Sequence, residues 1–141
     1  MEHTAPADEA AFIADELASL QQAHKALLDR LPRSAESALD ELSGMEIAGG
    51  IVVDALGHRI ESAHRPVFKD GRPWYMEYVF SVVDVSPPVP LLTLGLIGGK
   101  LYDVDSPGEV FVKINSRKLC ETLLGALVDR LVASPVFAPS A

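Results

Sequence analysis

Between Trp74 and Val85 the side chains alternate with a period of two, and both alternating sets carry apolar residues, although Glu77 and Ser81 interrupt the second. Trp74, Met76, Tyr78, Phe80 and Val82 point one way, and Tyr75, Val79 and Val83 the other. An amphipathic helix would repeat its apolar residues every three to four positions, so this run is a strand, and one with a covered face. Just ahead of it stands Lys69-Asp70-Gly71-Arg72. Asp-Gly supplies the positive φ angles of a two-residue type I′ turn, which predicts a hairpin pairing Ala63–Phe68 with Trp74–Phe80. The chain is thereby committed to a sheet.

Further strands are expected on both sides. Upstream, Ile47–Asp54 and His58–Ala63 flank a turn at Asp54-Ala55-Leu56-Gly57. Downstream, Ser86-Pro87-Pro88-Val89-Pro90 interrupts the pattern, because proline cannot donate to a ladder. Leu91–Leu96, Lys100–Val104 and Glu109–Ile114 then read as shorter strands, separated by Gly98-Gly99 and Asp105-Ser106-Pro107-Gly108.

Helical patterns occupy the ends. Ile13, Leu17, Leu20, His24, Leu27 and Leu31 recur at alternating spacings of four and three, an a/d stripe that opens near Asp8 and that Pro32 is expected to stop. A second helix is expected over Ala35–Ser43, with Ser34 as its cap and Gly44 just past its end. A last helix, capped by Asn115 or Ser116, carries Leu119, Leu123, Leu127 and Leu131 and ends near Ala133. The expected fold is a single α+β domain: two N-terminal helices, about six mainly antiparallel strands, and a C-terminal helix packed on the sheet, with irregular tails at 1–7 and 134–141.

Composition narrows the function classes. A chain of 141 residues that is 48% hydrophobic can build one core without metal or disulfide support. Cys120 is the only cysteine, which excludes an intrachain disulfide and the multi-cysteine zinc patterns. Twenty acidic residues against twelve basic give a net charge of −8, with the excess concentrated in the N-terminal third. No Lys/Arg cluster exists to neutralise phosphates, so neither nucleic acid nor an anionic membrane is an expected partner. The first residues lack the basic and apolar regions of a secretory signal, no stretch reaches the ~20 apolar residues of a membrane span, and a cytoplasmic location is expected.

Residues with reactive chemistry are few. Gly95 to Lys100 is one residue too short for a phosphate-binding loop and has Leu101 where a Ser or Thr would hold Mg²⁺, so Gly98-Gly99 reads as a hairpin turn. His58 and His64 lie six positions apart on one expected strand, ~20 Å at ~3.3 Å per residue, too far to share a metal. Cys120 has no histidine base near it in sequence and reads as core. No hydrolase motif is present. The reading leans away from an enzyme, with no catalytic residue, metal or cofactor.

Leu39 to Ala63, LDELSGMEIAGGIVVDALGHRIESA, resembles the opening of Roadblock/LC7 and related profilin-like sensor domains, where a helix leads into a hairpin of this form. Those folds then require a helix where Trp74–Val85 reads as strand. No family and no functional residue follows from the likeness.

Two functional readings remain. The first is a non-catalytic protein-interaction module, expected to be a homodimer. Its interface candidates are Ile13, Leu17, Leu20, His24, Leu27 and Leu31, while the aromatic set Trp74, Tyr75, Tyr78 and Phe80 is expected to line either a partner surface or a pocket. The alternative is a small-molecule domain, sensory or enzymatic, with a pocket between sheet and helices.

Overall fold

The computed structural model describes residues 6–33, 43–47, 50–106 and 108–137. Helix α1 (Pro6–Arg33) is followed by strands β1 (Ser43–Ile47), β2 (Ile51–Ala55), β3 (His58–Lys69), β4 (Arg72–Val82), β5 (Val89–Ile97), β6 (Lys100–Asp103) and β7 (Val110–Lys113), and helix α2 (Leu119–Ala133) closes the chain. The strands form one sheet whose spatial order is the chain order, and every pairing is antiparallel. It is a seven-stranded meander.

The sheet is built around the β3–β4 hairpin. Asp70 and Gly71 have φ of 54° and 77°, and Lys69 pairs with Arg72 across them, the two-residue turn that Asp-Gly favours. Gly98 and Gly99 close the β5–β6 hairpin in the same way, with φ of 56° and 78°. From these turns the register sets a row of cross-strand partners: Met76 lies opposite Leu96, Leu96 opposite Leu101, and Leu101 opposite Val112. The next rows pair Tyr78 with Leu94 and Phe80 with Leu92.

Both helices lie against this one face. Leu27 and Leu31 of α1 and Leu119, Leu123, Leu124, Leu127 and Leu131 of α2 join the sheet residues in a single buried cluster. Each fully buried large side chain contributes ~1.5–3 kcal/mol of transfer free energy, so this cluster is the main source of stability. Arg130 in the last turn of α2 ties the helix down, donating from Nη2 to Asp103 Oδ2 at 3.2 Å and from Nη1 to the Leu91 carbonyl at 3.4 Å. Cys120 is buried in the same core.

The structure departs from the expected elements in four places. Val89 and Pro90, expected in the break ahead of Leu91, already belong to β5, where Pro90 lies opposite Ser81. Ser43–Ile47 is a strand of its own, so the single expected strand Ile47–Asp54 is two, β1 and β2. Ile47 and Ile51 pair with each other, so the chain reverses where the period-two pattern predicts one continuous strand. The expected helix Ala35–Ser43 falls almost wholly outside the described residues; its last residue, Ser43, and its expected C′ glycine, Gly44, belong to β1. Among the described residues there is one N-terminal helix rather than two. Finally, α1 runs from Pro6 to Arg33, past both expected limits. Proline is tolerated in a first turn, and in the last turn Pro32 forfeits one hydrogen bond without ending the helix. No helix among the described residues is long and apolar enough to cross a membrane.

Candidate functional site

Alternation in β4 sends neighbouring aromatic side chains to opposite faces of the sheet, where they meet different surroundings. Tyr78 and Phe80 point toward the helices and are each 1% exposed. Trp74 and Tyr75 lie at the other end of β4, past the register shift at Val67/Phe68 in its pairing with β3, and Trp74 is 49% exposed. Their rings meet edge to face, with centroids 4.9 Å apart and planes at 88°, a favourable geometry for the aromatic quadrupoles. Lys69 covers one side of Trp74, with Nζ 4.8 Å from the ring centroid.

These two rings form one wall of a groove on the uncovered face. Gly95, Ile97, Tyr102, Asp103, Val104 and Gly108 complete it, and its volume is about 250 Å³. Gly95 has a defined role. A Cβ placed on it would come within 2.9 Å of Tyr75 Cδ1, so the absent side chain is what lets the Tyr75 ring lie flat across β5. Ile97 and Val104 remain 37% and 36% exposed. A contiguous apolar surface of this kind on an otherwise acidic chain is the feature that calls for an explanation.

Polar groups beside the groove are mostly occupied within the chain. Arg65 and Glu77 are cross-strand partners joined at 3.0 Å, and Gly95 and then Tyr102 continue the same row. Burial, reinforced by the Glu77 carboxylate and opposed by Arg65, raises the Tyr75 phenol above its ordinary range, so it stays a neutral donor at physiological pH. Asp103 is engaged by Arg130 and by the Asp105 amide, which donates to Oδ1 at 2.9 Å.

The helix-covered face carries a second polar group of residues. His24 of α1 lands over the cross-strand pair His64–Tyr78. Its ring stacks on His64 with centroids 4.0 Å apart, and its Nδ1 shares a hydrogen bond with Tyr78 Oη at 2.8 Å. Partial burial and the neighbouring His64 both hold the His24 imidazole below its ordinary value of 6.5, while burial pushes the Tyr78 phenol up. At the far end of β3, His58 Nδ1 lies 3.1 Å from Asp84 Oδ1, and this hydrogen bond depresses the Asp84 carboxyl. Among the described residues, no group of three or more His, Cys, Asp or Glu side chains gathers to hold a metal.

The expected site residues therefore separate. Trp74 and Tyr75 meet in the groove, whereas Tyr78 and Phe80 lie under the helices. In the α1 stripe, Leu27 and Leu31 are buried in the chain's own core and Leu20 packs partly against it. His24 faces His64 and Tyr78, and Ile13 and Leu17 stay half-exposed. In the sequence, Gly95 and Ile97 stand out only as part of the failed phosphate-loop match and Val104 only as a strand end, and nothing singles out Tyr102. A glycine inside an apolar strand run was the available signal, because it marks a close approach by another group. No protein-family model, curated protein or solved structure matches the chain.

Proposed function

We propose that this domain is a non-catalytic interaction module that receives apolar side chains of another polypeptide in the groove around Trp74. The observation that supports it is the pairing of an exposed Trp74 with Tyr75, Ile97, Tyr102 and Val104 on a sheet face that neither helix covers. Exposed aromatic anchors in an apolar depression are what interface hot spots are made of. The groove holds about 250 Å³, below the roughly 300–1,000 Å³ of pockets for drug-sized ligands. Its one carboxylate is already bonded to Arg130, so few polar groups converge to orient a small molecule.

The test uses a convenient fact: Trp74 is the only tryptophan. Its emission should respond saturably to an acetylated, amidated peptide of Ser and Gly carrying one Phe and one Leu. Ile97→Asp, at an exposed position, should abolish the response while leaving the fold intact by circular dichroism. A saturable response to a small apolar amphiphile with none to the peptide would favour the small-molecule alternative instead.

Self-association belongs to the same proposal, confined to the first part of α1. Phe12 is 49% exposed there, capped by the Arg72 guanidinium 4.3 Å from its ring centroid, and Ile13 and Leu17 are only half covered. Sedimentation equilibrium decides this part: Leu17→Asp should convert a dimer to a monomer, and a wild-type chain that is monomeric at all concentrations would remove it.

A further inference from the structure

The charges bordering the groove are sorted by sign along the strand axis, and we infer that its occupant is a polypeptide segment with an apolar centre, a Lys or Arg at one end and an Asp or Glu at the other. This rests on the groove reading above and adds the chemistry of the partner. Lys100 is the cross-strand partner of Lys113, and also of Ile97, which lines the groove. Partners in an antiparallel pair share a face, so both lysines spring from the groove's side of the sheet. At the other end, Asp105 directly follows Val104 and Glu109 directly follows Gly108, two further lining residues. From Lys100 to Asp103 is three residues of strand, about 10 Å at ~3.3 Å per residue.

Most of the other charged side chains nearby are engaged inside the chain. Arg130 holds Asp103, Arg65 holds Glu77, Glu16 holds Arg72, and Lys69 sits on Trp74. Lys100, Lys113, Asp105 and Glu109 enter no ion pair among the described residues. Like charges directly opposite each other in a sheet are destabilising, so the Lys100–Lys113 pair gains from an arriving carboxylate. The acidic loop gains equally from an arriving ammonium or guanidinium. A segment of one sign is attracted at one pole and repelled at the other. The Debye length at physiological ionic strength, about 8 Å, is shorter than the ~10 Å of backbone that β6 alone spans between the two ends, so each pole acts mainly on the part of the segment above it.

The experiment keeps the uncharged Phe/Leu core peptide and adds flanks: Lys before and Glu after, Lys on both sides, or Glu on both sides. Trp74 emission at physiological ionic strength is the readout. The mixed-flank peptide should bind about fivefold more tightly than either single-sign peptide, the expected scale for two exposed charge pairs. Lys113→Glu should erase its advantage over the Lys-flanked peptide. Asp105→Lys combined with Glu109→Lys should make the Glu-flanked peptide the tightest. A single-sign peptide that equals the mixed one on the wild-type chain, or an order unmoved by these reversals, overturns the inference while binding of the uncharged core still supports the groove. If the uncharged core and all three flanked peptides fail to bind, the groove reading itself is lost.

Discussion

The two faces of the sheet draw on the same aromatic strand and put its residues to opposite uses. On the covered face Tyr78 and Phe80 vanish beneath α1 and α2, and their energy goes into folding. On the uncovered face Trp74 and Tyr75 pack edge to face and then stop, leaving a depression with no occupant from either helix. Burial rather than residue type separates a core aromatic from a surface one here, since tyrosine serves on both faces. An apolar side chain that the fold does not need is available for binding, which is why the interaction reading is attached to one face only.

That contrast sets the largest expected effect. Phe80→Ala should cost about 3–5 kcal/mol of stability, the usual range for emptying a buried aromatic site, whereas Trp74→Ala should cost less than ~1 kcal/mol. Urea unfolding followed by far-UV circular dichroism measures both. Equal losses would mean that the uncovered face is a structural core in its own right.

The hairpin that places both faces comes next. Gly71→Val should cost about 1–3 kcal/mol, because φ of 77° is strained for a β-branched residue although open space surrounds the added side chain. An unchanged urea midpoint would show that the turn adopts another form in solution. A smaller effect is expected at Gly95. Gly95→Ala forces the Tyr75 ring to move, at a cost of ~1 kcal/mol, and should alter Trp74 emission more than it alters the urea midpoint. A change in stability with no spectral change would disconnect Gly95 from the groove.

Much of this architecture was legible in the chain. Asp70-Gly71, Gly98-Gly99 and the alternation through β4 carry their own local geometry, so the hairpins and the central strand could be read directly. The α1 stripe was legible as a stripe but not as to its partner. Spacings of four and three serve equally for a helix on a twin or a helix on a sheet, and only the fold shows Leu27 and Leu31 spent on the core. The β1–β2 division was missed because Ile47 and Ile51–Val53 look alike on either side of Ala48-Gly49-Gly50. The groove was half visible. Trp74 and Tyr75 announce themselves as aromatics, but Tyr102 and Val104 reach them only through the β4–β5–β6 register.

The most modest effect is on pH dependence, and it belongs to the covered face. The folded chain holds His24 below 6.5, so the unfolded chain takes up the proton first as pH falls. The stability that neutral His24 contributes is complete above pH 6.5 and is lost progressively as pH drops from there toward the depressed folded value. Asp84, also depressed, contributes above the ordinary carboxylate value and loses its contribution at lower pH, as the solution passes through its folded value. Urea midpoints taken between pH 7.5 and 5 should therefore decline, and His24→Gln, which keeps a hydrogen-bonding group facing Tyr78, should flatten the decline. A slope unchanged in that variant would assign the effect elsewhere.

The division between a covered and an open face is tested most directly by collisional quenching of Trp74, the only emitter of its kind in the chain. Acrylamide should quench its emission efficiently in the folded protein, as suits an indole that is 49% exposed, and addition of the Phe/Leu core peptide should protect it. Emission already protected in the free chain, or quenching indifferent to saturating peptide, would contradict the account.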